Sequence, residues 1–154
     1  MKMREGFLVA SLVDTNILVY RCDPRDQHKR ATALAVLREG EIAGEFRIPH
    51  QALVEFVNSV TRSRRPFPPI MSLADATRQA ELFMQQFPVL YPNESVFRMA
   101  LLGKSAYGFP WYDAHLWAYA EHYGIPEILS EDFEHGRKYG SVRVRNPFLA
   151  TDLA

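Results

Sequence analysis

The stretch LVDTNILVY, Leu12 to Tyr20, constrains the fold of this chain more than any other segment. A short apolar run delivers Asp14, Thr15 and Asn16 and then turns apolar again. That pattern reads as a buried parallel strand stopping at its carboxyl end, with a helix beginning just after it. Open α/β sheets keep their binding crevices at such strand ends. Two readings of the polar cluster stay open. Asp14 or Thr15 can N-cap the helix that follows, or Asp14 and Asn16 can flank one point with oxygen atoms suited to a hard cation.

The rest of the chain alternates strand and helix signals. The first strand is expected over Leu8 to Val13, after which Asp23 can cap a helix with Pro24 at its first position. Ala33, Leu34, Leu37 and nearby Val36 supply that helix's core stripe, and Gly40 or Gly44 ends it. GEFRIP forms a second strand stopping at Pro49. In HQALVEFVNSVTRSRR, Leu53, Val57 and Val60 share one helical face while Gln51, Glu55, Asn58 and Arg62 share the other. Ser72 and Asp75 form a capping-box-like pair for a helix whose core face is Leu73, Ala76, Ala80 and Phe83. VLY, enclosed by Pro88 and Pro92, is a third strand. Asn93 caps a helix packed through Phe97, Ala100 and Leu101 and ending around Gly103 to Gly108, and Tyr112 and Asp113 open an alanine-rich helix ending at Gly124. Ile125 to Leu129 is a fourth strand, followed by Ser130, Glu131 and Asp132, and VRVRNPF is the last. With no internal repeat or linker, five short strands and their helices define one α/β domain over residues 8–148 with short terminal extensions.

Charge narrows the choice of partners. Eighteen basic residues balance eighteen acidic ones, so no net field draws the molecule to nucleic acid, and any such contact must come from a local patch. Arg62, Arg64 and Arg65, just before the proline-rich stretch Pro66 to Pro69, are the candidate patch; they can close a helix or meet phosphates. The single cysteine, Cys22, excludes an internal disulfide framework and fits a reducing, cytoplasmic setting. The basic and apolar start MKMREGFLVASLVD resembles a secretory signal only faintly, because Asp14 interrupts a short run. No segment is long enough to span a bilayer.

Each acid has an ordinary explanation when taken singly. Asp113 suits the positive end of a helix, and Glu55 can be a solvated glutamate. Yet Asp14 and Asp132 follow strands, Asp113 opens a helix and Glu55 sits on a polar helix face, positions that a parallel sheet can bring to one crevice. VDTNILVY at Val13 to Tyr20, LVEF at Leu53 to Phe56, YDAHLWAYA at Tyr112 to Ala120 and LSEDF at Leu129 to Phe133 carry a resemblance, in order and spacing, to the PIN-domain ribonucleases and among them the VapC-type toxins of toxin–antitoxin pairs. The resemblance implies a three-layer α/β/α sandwich with a mainly parallel five-stranded sheet of order 3-2-1-4-5, the Asp14 strand lying beside the one ending at Leu129. It implies that Asp14, Glu55, Asp113 and Asp132 are catalytic and hold Mg²⁺ or Mn²⁺, supported by Thr15, Asn16 and Ser130. It further implies an endoribonuclease acting on RNA, silenced by a cognate antitoxin protein and assembled as a homodimer, with no membrane partner.

The chemistry agrees with the resemblance, since carboxylate-held divalent cations can neutralise a phosphodiester and activate water. Glu131 beside Asp132 leaves open which acid completes the pocket. His115 lacks a second histidine at ligand spacing, which favours a packed or solvated side chain over a metal ligand. Trp111, Tyr112, Trp117 and Tyr119 surround a helix and read as core or dimer surface. Arg137, Lys138, Arg143 and Arg145 are further candidates for phosphate contact. Two other functions stay open: an RNA-binding module with weak or no catalysis, and a phosphotransferase with Asp14 as nucleophile, which would lack a second aspartate at position 16.

Overall fold

In the computed structural model, which describes residues 9–149, the chain runs β1 (Ser11–Val13), α1 (Thr15–Cys22), α2 (Gln27–Ala43), β2 (Phe46–Pro49), α3 (His50–Thr61), α4 (Leu73–Gln86), β3 (Val89–Leu90), α5 (Glu94–Tyr107), α6 (Trp111–Tyr123), β4 (Glu127–Leu129), β5 (Lys138–Tyr139) and β6 (Val142–Arg145). Leu8, where the first strand was expected to start, lies outside the described residues. The sheet order is β3-β2-β1-β4-β6-β5, parallel throughout except for the β5–β6 pair. The expected order holds with β6 as the fifth strand. The short antiparallel strand β5, two residues at the edge, was not expected from the sequence because Lys138 and Tyr139 carry no alternating pattern long enough to show.

Period-two alternation in the central strands builds the three layers. Leu12 and Ile128 face one side, where they join Val96, Ala100, Leu116, Trp117 and Val144; Val13 and Leu129 face the other, with Ile17, Leu37, Phe46, Phe56 and Phe83. Consequently α5 and α6 cover one face, packed on each other, while α1 packs on α2 and α3, and α3 on α4, across the opposite face. Helix α6 is buried on several sides because it lies between the sheet and α5, and Ala114, Ala118 and Ala120 let it approach closely. Among the described residues no helix is long and apolar enough to cross a membrane.

Several expected details are corrected. Asp14 caps the first helix, its Oδ1 accepting from Thr15 N at 2.6 Å, and Asp26, not Asp23, caps the next helix α2 through Lys29 N, while Asp23 closes α1. Leu34, Leu73, Phe97 and Leu101 are exposed at 46%, 65%, 49% and 48%, because α2 turns Ala33, Val36 and Leu37, α4 Ala76 and Phe83, and α5 Val96 and Ala100 toward the core instead. The expected caps Ser72, Asn93, Gly44, Gly108 and Gly124 are in place, the glycines in the left-handed region that a helix stop favours.

Gly40 ends no helix. It lies inside α2 under the Phe46 ring, where an added Cβ would come within 2.1 Å of a ring carbon. Replacing it with alanine should therefore overpack the α2–β2 contact and cost about 1–3 kcal/mol, outweighing alanine's better helix propensity. Urea unfolding of Gly40→Ala should show a lower midpoint with an unchanged slope, and an unaltered midpoint would contradict the close approach.

Candidate active site

The site forms where the sheet changes direction, between the carboxyl ends of β1 and β4. Asp14 N donates to Leu129 O at 3.0 Å, closing the β1–β4 pairing just where both strands end. Asp14 is only 6% exposed, and its carboxylate is held from three sides: Thr15 N donates to Oδ1, while Ser130 Oγ at 2.6 Å and Asn16 Nδ2 at 3.2 Å donate to Oδ2. Capping and site membership are thus the same geometry. Asn16 Nδ2 also donates to Asp132 Oδ2 at 3.1 Å and, more weakly, to Ser130 Oγ at 3.4 Å, so one side-chain amide bridges two carboxylates. Ser130 Oγ in turn accepts from Asp132 N at 3.0 Å, fixing the loop that carries the second acid.

Glu55 and Asp113 complete the ring of acids from the helices. Glu55 is half-buried on α3, neither in the core nor free in solvent, and accepts from Thr15 Oγ1 at 2.7 Å and Gln51 Nε2 at 3.3 Å. Gln51 Nε2 also donates to Tyr112 O at 3.0 Å, tying α3 to the start of α6 where Asp113 stands. Gln51 shares the polar face of α3 with Glu55, but a glutamine one turn before an acid gives no distinctive signal of this role in the sequence.

The electrostatics show that these acids share one field. Asp14 is pushed from 3.8 up to about 7, first by burial, with the negative charges of Asp132 and Asp113 adding to it and the Ser130 and Thr15 hydrogen bonds opposing it. Asp113 rises to about 6, again first through burial and then through Asp132 and Glu55. Asn16 stands where the phosphotransferase reading needs a second aspartate, and its Nδ2 donates to Asp14 Oδ2, which argues against that reading.

Glu131 is drawn elsewhere. Its oxygens accept from Tyr20 OH at 2.6 Å and Lys29 Nζ at 2.9 Å, while Lys29 also donates to Tyr20 OH at 3.1 Å. The structure therefore sets Asp132, and not Glu131, beside Asp14. Tyr20 and Lys29 lie on two different helices, and nothing in their sequence spacing announced that they would meet this loop.

A groove of about 900 Å³ starts at this acidic end, at Asn16, Glu55 and Asp132, and runs to a wall formed by Arg62, Arg64, Arg65 and Phe67. Asp14 and Asp113 are not among its lining residues. Arg137, Lys138, Arg143 and Arg145 are not part of that wall; Arg137 pairs with Glu134, and Arg145 with the buried Glu127. His115 packs against Trp111 and Phe97, and burial lowers its pKa, as expected of a packed imidazole.

Whether a hard divalent cation suits these residues can be judged from the donors themselves. All are oxygens, and Asn16 Oδ1 is buried with no hydrogen-bond partner among the described residues, an orphaned acceptor next to two carboxylates. Among the described residues no three acids or histidines form a ready-made metal cage. Mg²⁺ nonetheless binds through one or two carboxylates and keeps several waters, so the donor set fits such an ion without a closed cage.

Fold and crevice together define a three-layer α/β domain that presents its acids at the carboxyl ends of neighbouring central strands. The profile of the PIN domain family matches residues 11–140, and the chain belongs to that family. A search of curated proteins by sequence finds no match. Among solved structures, a chain of a toxin–antitoxin complex from Klebsiella pneumoniae is similar with a TM-score of 0.65 at 14% identity, over 89% of this chain and 97% of that one. VapC20 of Mycobacterium tuberculosis, a sarcin–ricin loop cleaving toxin, is similar with a TM-score of 0.63 at 15% identity, over 79% of this chain and 89% of that one. FitAcB from Neisseria gonorrhoeae is similar at 0.61 and 17% identity, over 90% of this chain and 98% of that one. At such identities the likeness is one of fold.

The raised carboxyl values have a definite sign. Asp113 binds its proton more tightly in the folded protein, so its contribution is fully present below the unfolded pKa and is lost as pH rises through about 6. Asp113→Asn should consequently stabilise the metal-free protein by about 1 kcal/mol at about pH 8, a modest effect because a half-buried charge is screened by water. The gain should fade between about pH 6 and 4, where the native carboxyl becomes neutral in both states. Urea unfolding in a chelator across this range measures it; a destabilised variant at high pH would contradict the shared acidic field.

Proposed function

We propose that the chain is an Mg²⁺- or Mn²⁺-dependent endoribonuclease, the VapC-type toxin of a toxin–antitoxin pair. The observation that carries this reading is the Asp14–Asn16–Asp132 bridge at one end of a groove whose other wall bears three arginines. Membership of the PIN domain family and the fold shared with VapC20 and with chains of toxin–antitoxin complexes support it.

Asp14, Asp113, Asp132 and Glu55 would hold the cation. When bound, it would neutralise charge around the scissile phosphorus and lower the pKa of a water, the two requirements for phosphodiester hydrolysis. The chain's own residues do the positioning. Ser130, Thr15 and Asn16 fix the direction of the Asp14 oxygens, and Asn16 spaces Asp132 from Asp14. Gln51 keeps Glu55 beside the start of α6. Arg62, Arg64 and Arg65 meet backbone phosphates along the groove, which lets a molecule of zero net charge hold a polyanion. An acidic crevice that must be silenced invites a basic side chain, so the antitoxin partner is expected to insert an arginine there in competition with metal. Exposed Leu73, Phe97, Leu101 and Leu102 give the domain apolar surface consistent with a homodimer.

A second reading, an RNA-binding module of the same fold with little or no catalysis, draws on the want of a ready-made metal cage among the described residues. One experiment separates them. Wild type and Asp14→Asn are incubated with RNA in Mn²⁺ or in a chelator, and their melting temperatures are read with and without Mn²⁺. The nuclease reading expects cleavage only by wild type and only with metal, together with a Mn²⁺-induced thermal shift that the variant reduces. Wild-type protein that binds RNA yet leaves it intact at every Mn²⁺ concentration would favour the module.

A further inference from the structure

We propose that Phe67, in the loop joining α3 to α4, is a nucleobase-stacking platform, so that the arginine wall of the groove grips an RNA strand by base as well as by phosphate. This inference rests on the RNA-cleaving reading above and adds a binding subsite to it. Phe67 is 59% exposed, and it lines the same groove as Glu55, Asp132, Arg62, Arg64 and Arg65.

Its backbone is tied down while its ring is left in solvent. Arg64 N donates to Phe67 O at 3.2 Å, Phe67 N donates back to Arg64 O, and Ser63 Oγ adds a hydrogen bond to the same carbonyl at 3.4 Å. The mutual pair sets Arg64 and Phe67 directly opposite each other, so a charge and an aromatic face are displayed side by side. Arg62, Arg64 and Arg65 form no ion pair with another described residue, unlike Arg25 on the same groove, which is engaged by Asp23. An exposed aromatic ring on a tied backbone among uncommitted arginines is the arrangement that single nucleic-acid strands reward: the cations follow the backbone and the ring takes a base, whose π-face is common to all four bases. A protein ligand for this face would need acidic groups to meet the arginines but would gain nothing specific from bases, which gives the test its discriminating control.

The test measures binding in a chelator, independent of cleavage, with end-labelled single-stranded RNA of mixed sequence and a matched strand whose central nucleotides are abasic. Phe67→Ala should weaken binding of the intact strand by about 5- to 100-fold, the scale of one lost stack. It should leave the abasic strand and the melting temperature unchanged, and Phe67→Trp should retain wild-type affinity. Arg64→Gln should instead weaken both strands and lower the slope of log affinity against log salt by about 0.7. Intact-strand affinity unchanged in Phe67→Ala, or equal losses on intact and abasic strands, would overturn the platform while leaving the nuclease reading in place. Wild-type protein that binds neither strand would likewise overturn the platform, whereas the nuclease reading stands or falls on cleavage in Mn²⁺.

Discussion

The structure depends on keeping a carboxylate, that of Asp14, buried at the end of its central strand. An unpaired buried carboxylate is costly, and the surrounding fold supplies what offsets the cost: a backbone N–H from the first turn of α1, the hydroxyl of Ser130 and the amide of Asn16. Those donors come together only if β1 and β4 are neighbours in register, with Val13 opposite Leu129. The same register sends Leu12 and Ile128 to one core and Val13 and Leu129 to the other. One strand pairing therefore serves both the packing of the two helical layers and the geometry of the crevice.

Charge is sorted around this centre. The four acids of the site crowd together while Glu131, the next residue in the same loop, is withdrawn by Lys29 and Tyr20. Lys29 lies within 4.6 Å of the Tyr20 ring centre, adding a cation–π contact to the pair. That arrangement draws a fifth negative charge away from the acids and anchors the loop to α1 and α2, which in turn steadies Asp132. The arginines lie further along the groove, past the acids. A chain with no net charge thus holds adjacent regions of opposite sign.

Much of this was legible in the sequence because its signals are local. A short apolar run ending in Asp14, caps at Ser72 and Asn93, and glycine stops at Gly44, Gly108 and Gly124 all act within a few residues, and the structure has them. The strand order came from a family resemblance that the PIN domain match supports. What was misread depended on tertiary direction: helical spacing identified an apolar stripe in α4 and α5 but not that Leu73 and Phe97 would sit at its outer margin. Long-range partnerships were invisible for the same reason. Glu131 and Asp132 are adjacent acids in sequence, and only the approach of Lys29, more than a hundred residues earlier in the chain, separates their fates.

Under the proposed metal-dependent function, the buried, mutually repelling carboxyl groups of the crevice are what draws a divalent cation to it. The most direct test is a carbon NMR titration of the Asp14 and Asp113 carboxyl groups, first without metal and then with saturating Mg²⁺. Midpoints near 7 and 6 are expected in the metal-free protein, with both falling toward or below ordinary aspartate values when Mg²⁺ is present. Midpoints near 4 without metal, or raised midpoints that Mg²⁺ leaves in place, would contradict this reading.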